Sequence, residues 1–199
     1  MTEVGSNMNR LAAMIVFSAL AGFPMSVTAK DGFPPNVTIA KNKTIEKIDW
    51  SFPFEKPLEF SRIKRCVATN IHSDEVQLRD SAGSWVGGAT GNYYQRDNRG
   101  SAQARDTFKI VDDQSRFLIA QGQTDRTSGL SGWIIRFDLE AGLEQGRVIL
   151  TMRNLTLAAS NTGSLANDGF RPLGSWYRFK SNYAALDAVA TTVKACIIQ

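Results

Sequence analysis

The chain has 199 residues, of which 43% are hydrophobic and 21% are charged, and its net charge is +4 at pH 7. This composition is that of an ordinary folded protein, and it excludes disordered and fibrous chains. The length fits one domain, with a core large enough to form without a structural metal.

The first predicted element is an N-terminal export signal. Residues 11–29 ("LAAMIVFSALAGFPMSVTA") carry no charge and end in a segment with the small residues Val27 and Ala29. This pattern predicts that residues 1–29 are a signal peptide, removed after Ala29. A retained membrane anchor is the alternative, because an apolar stretch of this length just spans a bilayer.

Export places the mature chain in the periplasm or outside the cell, without a membrane span once the signal is cleaved. Met1 and Met8 are both possible start sites. In an oxidising compartment an even number of cysteines favours a disulfide, so the sequence predicts a bond between Cys66 and Cys196. Two buried free thiols are the alternative.

Residues 30–43 ("KDGFPPNVTIAKNK") contain two adjacent prolines and show little periodicity. They are predicted to form a linker or a surface arm. A single α+β domain is expected over residues 44–199.

A half-buried strand is predicted next, because Ile48, Trp50, Phe52 and Phe54 alternate with polar residues. Pro53 has no backbone donor, so this strand lies at an edge or stops there. The aromatic residues of the strand are expected to cover the core between the strand and the helices.

An amphipathic helix follows, with Pro57 as its first residue. Its apolar residues recur at spacings of three and four and form one stripe: Phe60, Ile63, Cys66, Val67 and Ile71. Residues 79–106 are then rich in glycine and polar residues, which predicts loop with one short strand around Trp85 and Val86.

From Thr107 the pattern changes to an antiparallel meander with one buried face. Its inward residues include Trp133, Ile135, Phe137, Leu139, Val148, Leu150 and Met152. The apolar positions then shift parity to Leu155 and Leu157, so a β-bulge is predicted near Arg153 and Asn154.

A second amphipathic helix ends the chain, with Ser181 or Asn182 as its N-terminal cap. Its apolar stripe contains the second cysteine: Leu186, Val189, Val193, Cys196 and Ile197. Two helices that each point a cysteine inward can pack side by side. The predicted fold is therefore α+β, an antiparallel β-meander with two helices packed on one face.

Residues 55–160 resemble a group of uncharacterised exported bacterial proteins with a TATA-binding-protein-like α+β domain. The segments that carry the resemblance are "SRIKRCVATNI", "FLIAQGQT", "GWIIRFDLE" and "GRVILTMRNLTL". The resemblance implies a TATA-binding-protein-like or helix-grip-like arrangement and brings no known catalytic residues. The name of the fold does not imply DNA binding.

A candidate binding surface is formed by aromatic residues in or near irregular segments: Trp85, Tyr93, Tyr94, Trp176, Tyr177 and Phe179. Loops placed on a rigid sheet often carry binding residues, and tryptophan and tyrosine suit interfaces. The alternative is that these side chains cap the ends of the core.

No catalytic, metal or cofactor site is predicted. One histidine and two distant cysteines do not supply a metal ligand set. The basic residues are scattered, which argues, together with export, against nucleic-acid binding. Asp138 and Glu140 share a polar strand face, and they keep a carboxylate-based hydrolase as an alternative.

The leading hypothesis is a non-enzymatic exported domain that binds a partner protein, or an apolar ligand between sheet and helices. A structural or stress-related envelope protein without a small ligand is the other alternative. An apolar cavity between sheet and helices would favour a ligand, whereas a filled core with exposed aromatic residues would favour a protein partner.

Overall fold

The computed structural model describes residues 32–54, 57–128 and 131–199, and for residues 127, 128 and 131 it describes the backbone alone. The predicted signal peptide lies outside the described residues. In chain order the elements are β1 (Val37–Ile39), β2 (Ile45–Pro53), α1 (Phe60–Asn70), β3 (Val76–Asp80), β4 (Trp85–Val86), β5 (Tyr93–Tyr94), β6 (Asn98–Ala102), β7 (Phe108–Asp112), β8 (Phe117–Ser128), β9 (Ser131–Glu144), β10 (Arg147–Ala159), β11 (Arg171–Pro172) and α2 (Phe179–Ile198).

The main sheet is antiparallel, with the spatial order β1-β2-β10-β9-β8-β7 and β11 paired to the far end of β10. The long strands β8, β9 and β10 form the meander that the alternating pattern predicts. Strand β2 comes from the start of the domain and pairs with β10 at its end. The α+β fold class is confirmed, and the TATA-binding-protein-like arrangement stays a prediction.

One face of the sheet carries the core. Its residues are at most 5% exposed: Ile48, Phe52, Leu118, Ala120, Ile135, Phe137, Leu139, Leu150 and Met152. Both helices pack on this face and on each other. A Cβ atom added at Gly122 would lie 2.7 Å from Ile71 Cγ2 and from Phe137 Cε2, so at this point sheet and α1 leave no room for a methyl group.

The aromatic residues of β2 cover α2, as the sequence predicts. Trp50 donates its indole N–H to Asp187 of α2 at 2.8 Å, and Lys194 of α2 lies 5.5 Å from the centre of the Phe52 ring. The strand ends at Pro53, which cannot continue the hydrogen-bonded ladder.

The predicted disulfide is confirmed. Cys66 of α1 and Cys196 of α2 are bonded, with their Cα atoms 5.7 Å apart. The bond therefore joins the two helices that cover the sheet, across 130 residues of sequence. Neither helix in the described ranges is long and apolar enough to cross a membrane.

The predicted bulge in β10 is also confirmed. The register between β10 and β9 shifts between Arg153 and Thr156, and Asn154 adopts a left-handed conformation with φ of +52°. Asparagine tolerates this conformation better than most residues. The bulge moves Leu155 and Leu157 back to the buried face.

Both helix starts differ from the prediction. Helix α1 begins at Phe60 instead of Pro57, because Glu59 is still extended. Helix α2 begins at Phe179, before Ser181 and Asn182. These two side chains donate hydrogen bonds to backbone carbonyls, and so they do not cap the helix.

Two segments predicted as irregular contain strands. In the segment 30–43, which is predicted as a linker or arm, Val37–Ile39 forms β1 at one edge of the sheet. In the segment 79–106, the predicted short strand at Trp85 and Val86 is β4, and it pairs with the additional strand β5; β6 is a further strand and pairs with β3, which begins at Val76. The apolar alternation is weak there, because much of the pair of β4 and β5 is exposed on both sides.

The disulfide gives a first prediction. The double substitution Cys66→Ala/Cys196→Ala is expected to lower the free energy of unfolding by about 5 kcal/mol, because the bond closes a long loop in the unfolded chain. Urea denaturation of variant and wild type measures the loss. Labelling of two free thiols in the unfolded, non-reduced wild type would contradict the bond.

The core position of Phe52 gives a second prediction. Phe52→Ala is expected to cost about 3–5 kcal/mol of unfolding free energy, because the side chain is almost fully buried. Ile110→Ala is the matched control, since Ile110 is 47% exposed, and its cost should stay within about 0.5 kcal/mol. Equal losses for the two variants would be inconsistent with this core.

Candidate functional site

The first candidate site is the hairpin of β4 and β5, here called the aromatic hairpin (residues 85–94). Trp85 and Tyr94 lie opposite each other in register and stack, with ring centroids 4.4 Å apart and planes inclined by 13°. The next pair is Val86 and Tyr93. All four side chains are 45–61% exposed, although three of them are aromatic.

Glycines make this arrangement possible. A Cβ atom at Gly87 would lie 2.8 Å from Thr90 Oγ1 and 3.0 Å from Tyr94 Cε2, so a larger residue would displace the ring or the turn. Gly91 closes the turn with φ of +68°, which suits glycine. The turn therefore holds Tyr94 close to the backbone while its ring stays exposed.

Asp80 holds together the segments on either side of the hairpin, near Ala82 and Asn98, which we call its root. Its carboxylate accepts hydrogen bonds from Asn98 Nδ2 at 2.6 Å, from the Ala82 amide at 2.9 Å and from the Asn167 amide at 3.0 Å. These donors, Asn98 first, hold the pKa of Asp80 below its ordinary value. They connect β3 and β6 to the loop that follows β10.

Below this root, β3 and β6 pack on the second face of the main sheet. Val76 and Leu78 contact Ile134 and Ala158 in a small apolar cluster. This contact places the two-stranded ribbon of β3 and β6 on the side of the sheet opposite the helices. The aromatic hairpin is therefore an extension of an anchored ribbon.

Arg136 fastens the ribbon to the sheet. Its Nη2 atom donates to the carbonyls of Asp74, Ala102 and Gln103 at 3.0–3.2 Å, and its guanidinium lies 4.5 Å from the ring of Phe170. Burial lowers the pKa of this group, and the neighbouring charge of Arg105 lowers it further. The hydrogen bonds to these carbonyl acceptors offset the free-energy cost of burying the Arg136 charge.

The carboxylates considered for hydrolysis also lie on the second face. Asp138 is almost buried and accepts from Asn154 at 2.7 Å, Gln121 at 3.3 Å and Lys109 at 3.4 Å. Burial raises the pKa of Asp138, but these donors outweigh burial and hold it below its ordinary value. Glu140 accepts from Arg153 at 3.1 Å. Each carboxylate has its own cation, which is unlike an acid–base pair with separated pKa values.

The second candidate site surrounds the N-terminus of α2. Its aromatic residues form two groups of ring contacts: Trp133, Tyr177 and Trp176 in one, and Phe33, Phe179 and Tyr183 in the other. Trp176 is 78% exposed, whereas Tyr177 and Phe179 are half-buried against the core.

Arg126 of β8 lies beside this group and is only 6% exposed. Its Nη1 atom donates to Ser181 Oγ at 3.0 Å, and its Cζ atom is 5.4 Å from the centre of the Trp133 ring. Its Nε and Nη2 atoms are buried without a hydrogen-bond partner among the described residues. Burial lowers the pKa of Arg126, and the charge of Arg178 adds to this effect while Tyr177 opposes it.

An uncompensated buried charge costs several kcal/mol. Arg136 is equally buried and has four hydrogen bonds to offset that cost. Arg126 has one such bond. Among the described residues, Arg126 is therefore a buried cation with two unpaired nitrogen atoms.

The six residues predicted as a binding surface fall into two groups. Trp85, Tyr93 and Tyr94 form the aromatic hairpin, and Trp176, Tyr177 and Phe179 lie at the start of α2. The prediction did not include Arg126. A signal was present, because Arg126 falls in the same alternation as the inward residues of β8.

Cavities lie at the margins of the sheet–helix layer. Two, of about 610 and 480 Å³, adjoin the start of α1 and the end of α2. A third, of about 460 Å³, lies at the end of β10 and is lined by Trp133, Leu157, Leu165 and Arg171, among others.

Comparison of the chain with protein-family models, with characterised proteins and with solved structures gave no match. Over the described ranges, no group of three His, Cys, Asp or Glu side chains is placed to hold a metal ion. The functional conclusion therefore depends on the geometry of the sites themselves.

The hydrogen bonds of Asp138 give a prediction for pH dependence. Asp138→Asn is expected to lower the unfolding free energy by about 1–3 kcal/mol at neutral pH. Because the folded-state pKa is depressed, the contribution is fully present above the unfolded-state pKa of about 4 and is lost as pH falls through the folded-state value.

Denaturation of the Asp138→Asn variant and wild type at several pH values measures this difference. Glu144→Gln, at an exposed position of the same strand, is the control. A stability difference that stays constant into strong acid would contradict the role assigned to the Asp138 carboxylate.

Proposed function

We propose that this chain is an exported, non-enzymatic binding module that engages a partner protein through the aromatic hairpin. The observation that carries the proposal is the stacked, exposed pair of Trp85 and Tyr94 on a hairpin with an anchored root. Tryptophan and tyrosine are enriched among the residues that dominate binding energy at protein interfaces.

The filled core supports a protein partner over an apolar ligand between sheet and helices. The inward face of the sheet is buried by α1 and α2, and the close packing at Gly122 excludes even a methyl group there. A partner protein needs no such cavity, because it buries the aromatic side chains in its own surface.

Because the root of the hairpin is anchored, binding is expected to cost little conformational entropy. Asp80 and Arg136 fix the ribbon below the hairpin, so the aromatic pair is held in place before contact. Preorganised side chains lose less conformational entropy when they are buried. The stack of Trp85 on Tyr94 contributes to the same effect.

The charge around the hairpin specifies the partner further. Arg96 lies beside the root, where its side chain approaches Gly83, and Arg99 is 66% exposed although it pairs with Asp97. The whole chain has a net charge of +4. A partner with an apolar pocket and an acidic rim fits this surface best, because complementary charges speed association.

Export is part of the proposal. It is supported by the uncharged segment 11–29 and by the disulfide between Cys66 and Cys196, since disulfides persist in oxidising compartments. The module would therefore act in the periplasm or outside the cell.

Site-specific photocrosslinking in the cells that make the protein tests the proposal. A photoreactive residue in place of Val86 is expected to give one crosslinked protein, and the same residue in place of exposed Lys41 is the control. Trp85→Ala/Tyr94→Ala should abolish the crosslink. The thermal unfolding midpoint of this double variant should stay within about 2 °C of wild type, because the removed side chains are exposed.

The crosslinked protein, once purified, should bind wild type at least ten-fold more tightly than the double variant in calorimetry. A crosslink that persists in the double variant would contradict the proposal. An absent crosslink at position 86 would also contradict it and would favour the structural envelope protein.

A further inference from the structure

We propose that Arg126 binds the carboxylate of a small apolar organic acid at the N-terminus of α2. This site is separate from the aromatic hairpin, and the proposal does not depend on the function proposed for the hairpin. The observation behind it is the pair of buried guanidinium nitrogens, Nε and Nη2, that have no hydrogen-bond partner among the described residues.

The two unpartnered nitrogens lie on the same edge of the planar guanidinium. Their N–H bonds point in nearly parallel directions, which is the geometry that holds both oxygens of a carboxylate. The remaining atom, Nη1, is already bound to Ser181 Oγ at 3.0 Å. Arg126 is thus oriented by the protein and leaves its two-pronged edge for an anion.

The surroundings favour a negative charge. Helix α2 has 20 residues, and its first turn, residues 179–182, contains no acidic side chain. The N-terminus of a helix carries a partial positive charge that attracts anions. The charge of Arg178 at the N-cap position acts in the same direction.

Trp133 and the cavity next to it determine the size and polarity of the rest of the ligand. The indole of Trp133 contacts Arg126 on one side and lines the cavity of about 460 Å³ on the other. That volume is within the range of small-molecule sites. Leu157 and Leu165 supply apolar walls, which suit an acid with an aromatic or aliphatic body.

Two charged residues in the cavity lining, Arg171 and Asp168, have opposite signs. Arg126 is not part of this lining and lies beside Trp133, and in this proposal it supplies the cation that selects an acid. Because its Nε and Nη2 atoms are buried, a carboxylate reaches them only if the indole of Trp133, which lies beside the guanidinium, moves aside. Binding should consequently change the fluorescence of Trp133.

The test uses the mature protein and two matched probes, 3-phenylpropionate and the uncharged 3-phenylpropanol. The acid is expected to raise the thermal unfolding midpoint saturably and to change tryptophan fluorescence, and the alcohol should do neither. Trp133→Phe should remove the fluorescence change and keep the midpoint shift. No saturable effect of the acid at millimolar concentration would overturn the proposal.

Variants of Arg126 identify the residue that binds. Arg126→Met should bind the acid at least ten-fold more weakly, and its own unfolding midpoint should not fall, since an unpaired buried charge has been removed. Arg126→Lys keeps the charge but loses the two-pronged edge, and it should also bind at least ten-fold more weakly. Arg65→Met, at an exposed position of α1 outside this cavity, is the control and should bind within two-fold of wild type.

A nuclear magnetic resonance measurement on wild type decides the matter if the variants fail to fold. The ¹⁵Nε signal of Arg126 should shift on addition of 3-phenylpropionate and not on addition of 3-phenylpropanol or inorganic phosphate. An unchanged signal would overturn the proposal, as would binding that is kept in Arg126→Met.

Discussion

The packing of two helices on a single face of the sheet is the contact on which the rest of the molecule depends. Gly122 allows Ile71 and Phe137 to approach so closely that the layer between sheet and α1 is filled. The bond between Cys66 and Cys196 holds α1 and α2 together above it. Arg136 and Asp138 lie on the second face, whereas Arg126 lies on the helix side beside the start of α2.

Two buried arginines show how differently one residue type is used on the two faces. On the second face, Arg136 donates to a glutamine and three backbone carbonyls and thereby joins the ribbon of β3 and β6 to the sheet. On the helix side, the described residues give Arg126 a single acceptor, Ser181. Hydrogen bonds offset the free-energy cost of burying Arg136, whereas Nε and Nη2 of Arg126 have no acceptor among the described residues.

The sequence predicts those parts of the fold in which burial has a simple period. Alternation in β2, β9 and β10 and the three-four spacing in both helices reflect one buried face each. The short strand at Trp85 and Val86 was predicted, but its partner β5 was missed because solvent contacts both sides of it. The helix starts were misplaced because Glu59 and Arg178 make no side-chain cap. Exposed aromatics were identified from composition, but the meeting of Arg126 with α2 depends on tertiary packing.

The pairing of β2 with β10 has a consequence for the order of folding. Strand β2 finds its neighbour about one hundred residues later, and Trp50 finds Asp187 after 137 residues. Contacts so distant along the chain slow folding. As the chain is synthesised, the aromatic face of β2 therefore stays uncovered until α2 has emerged.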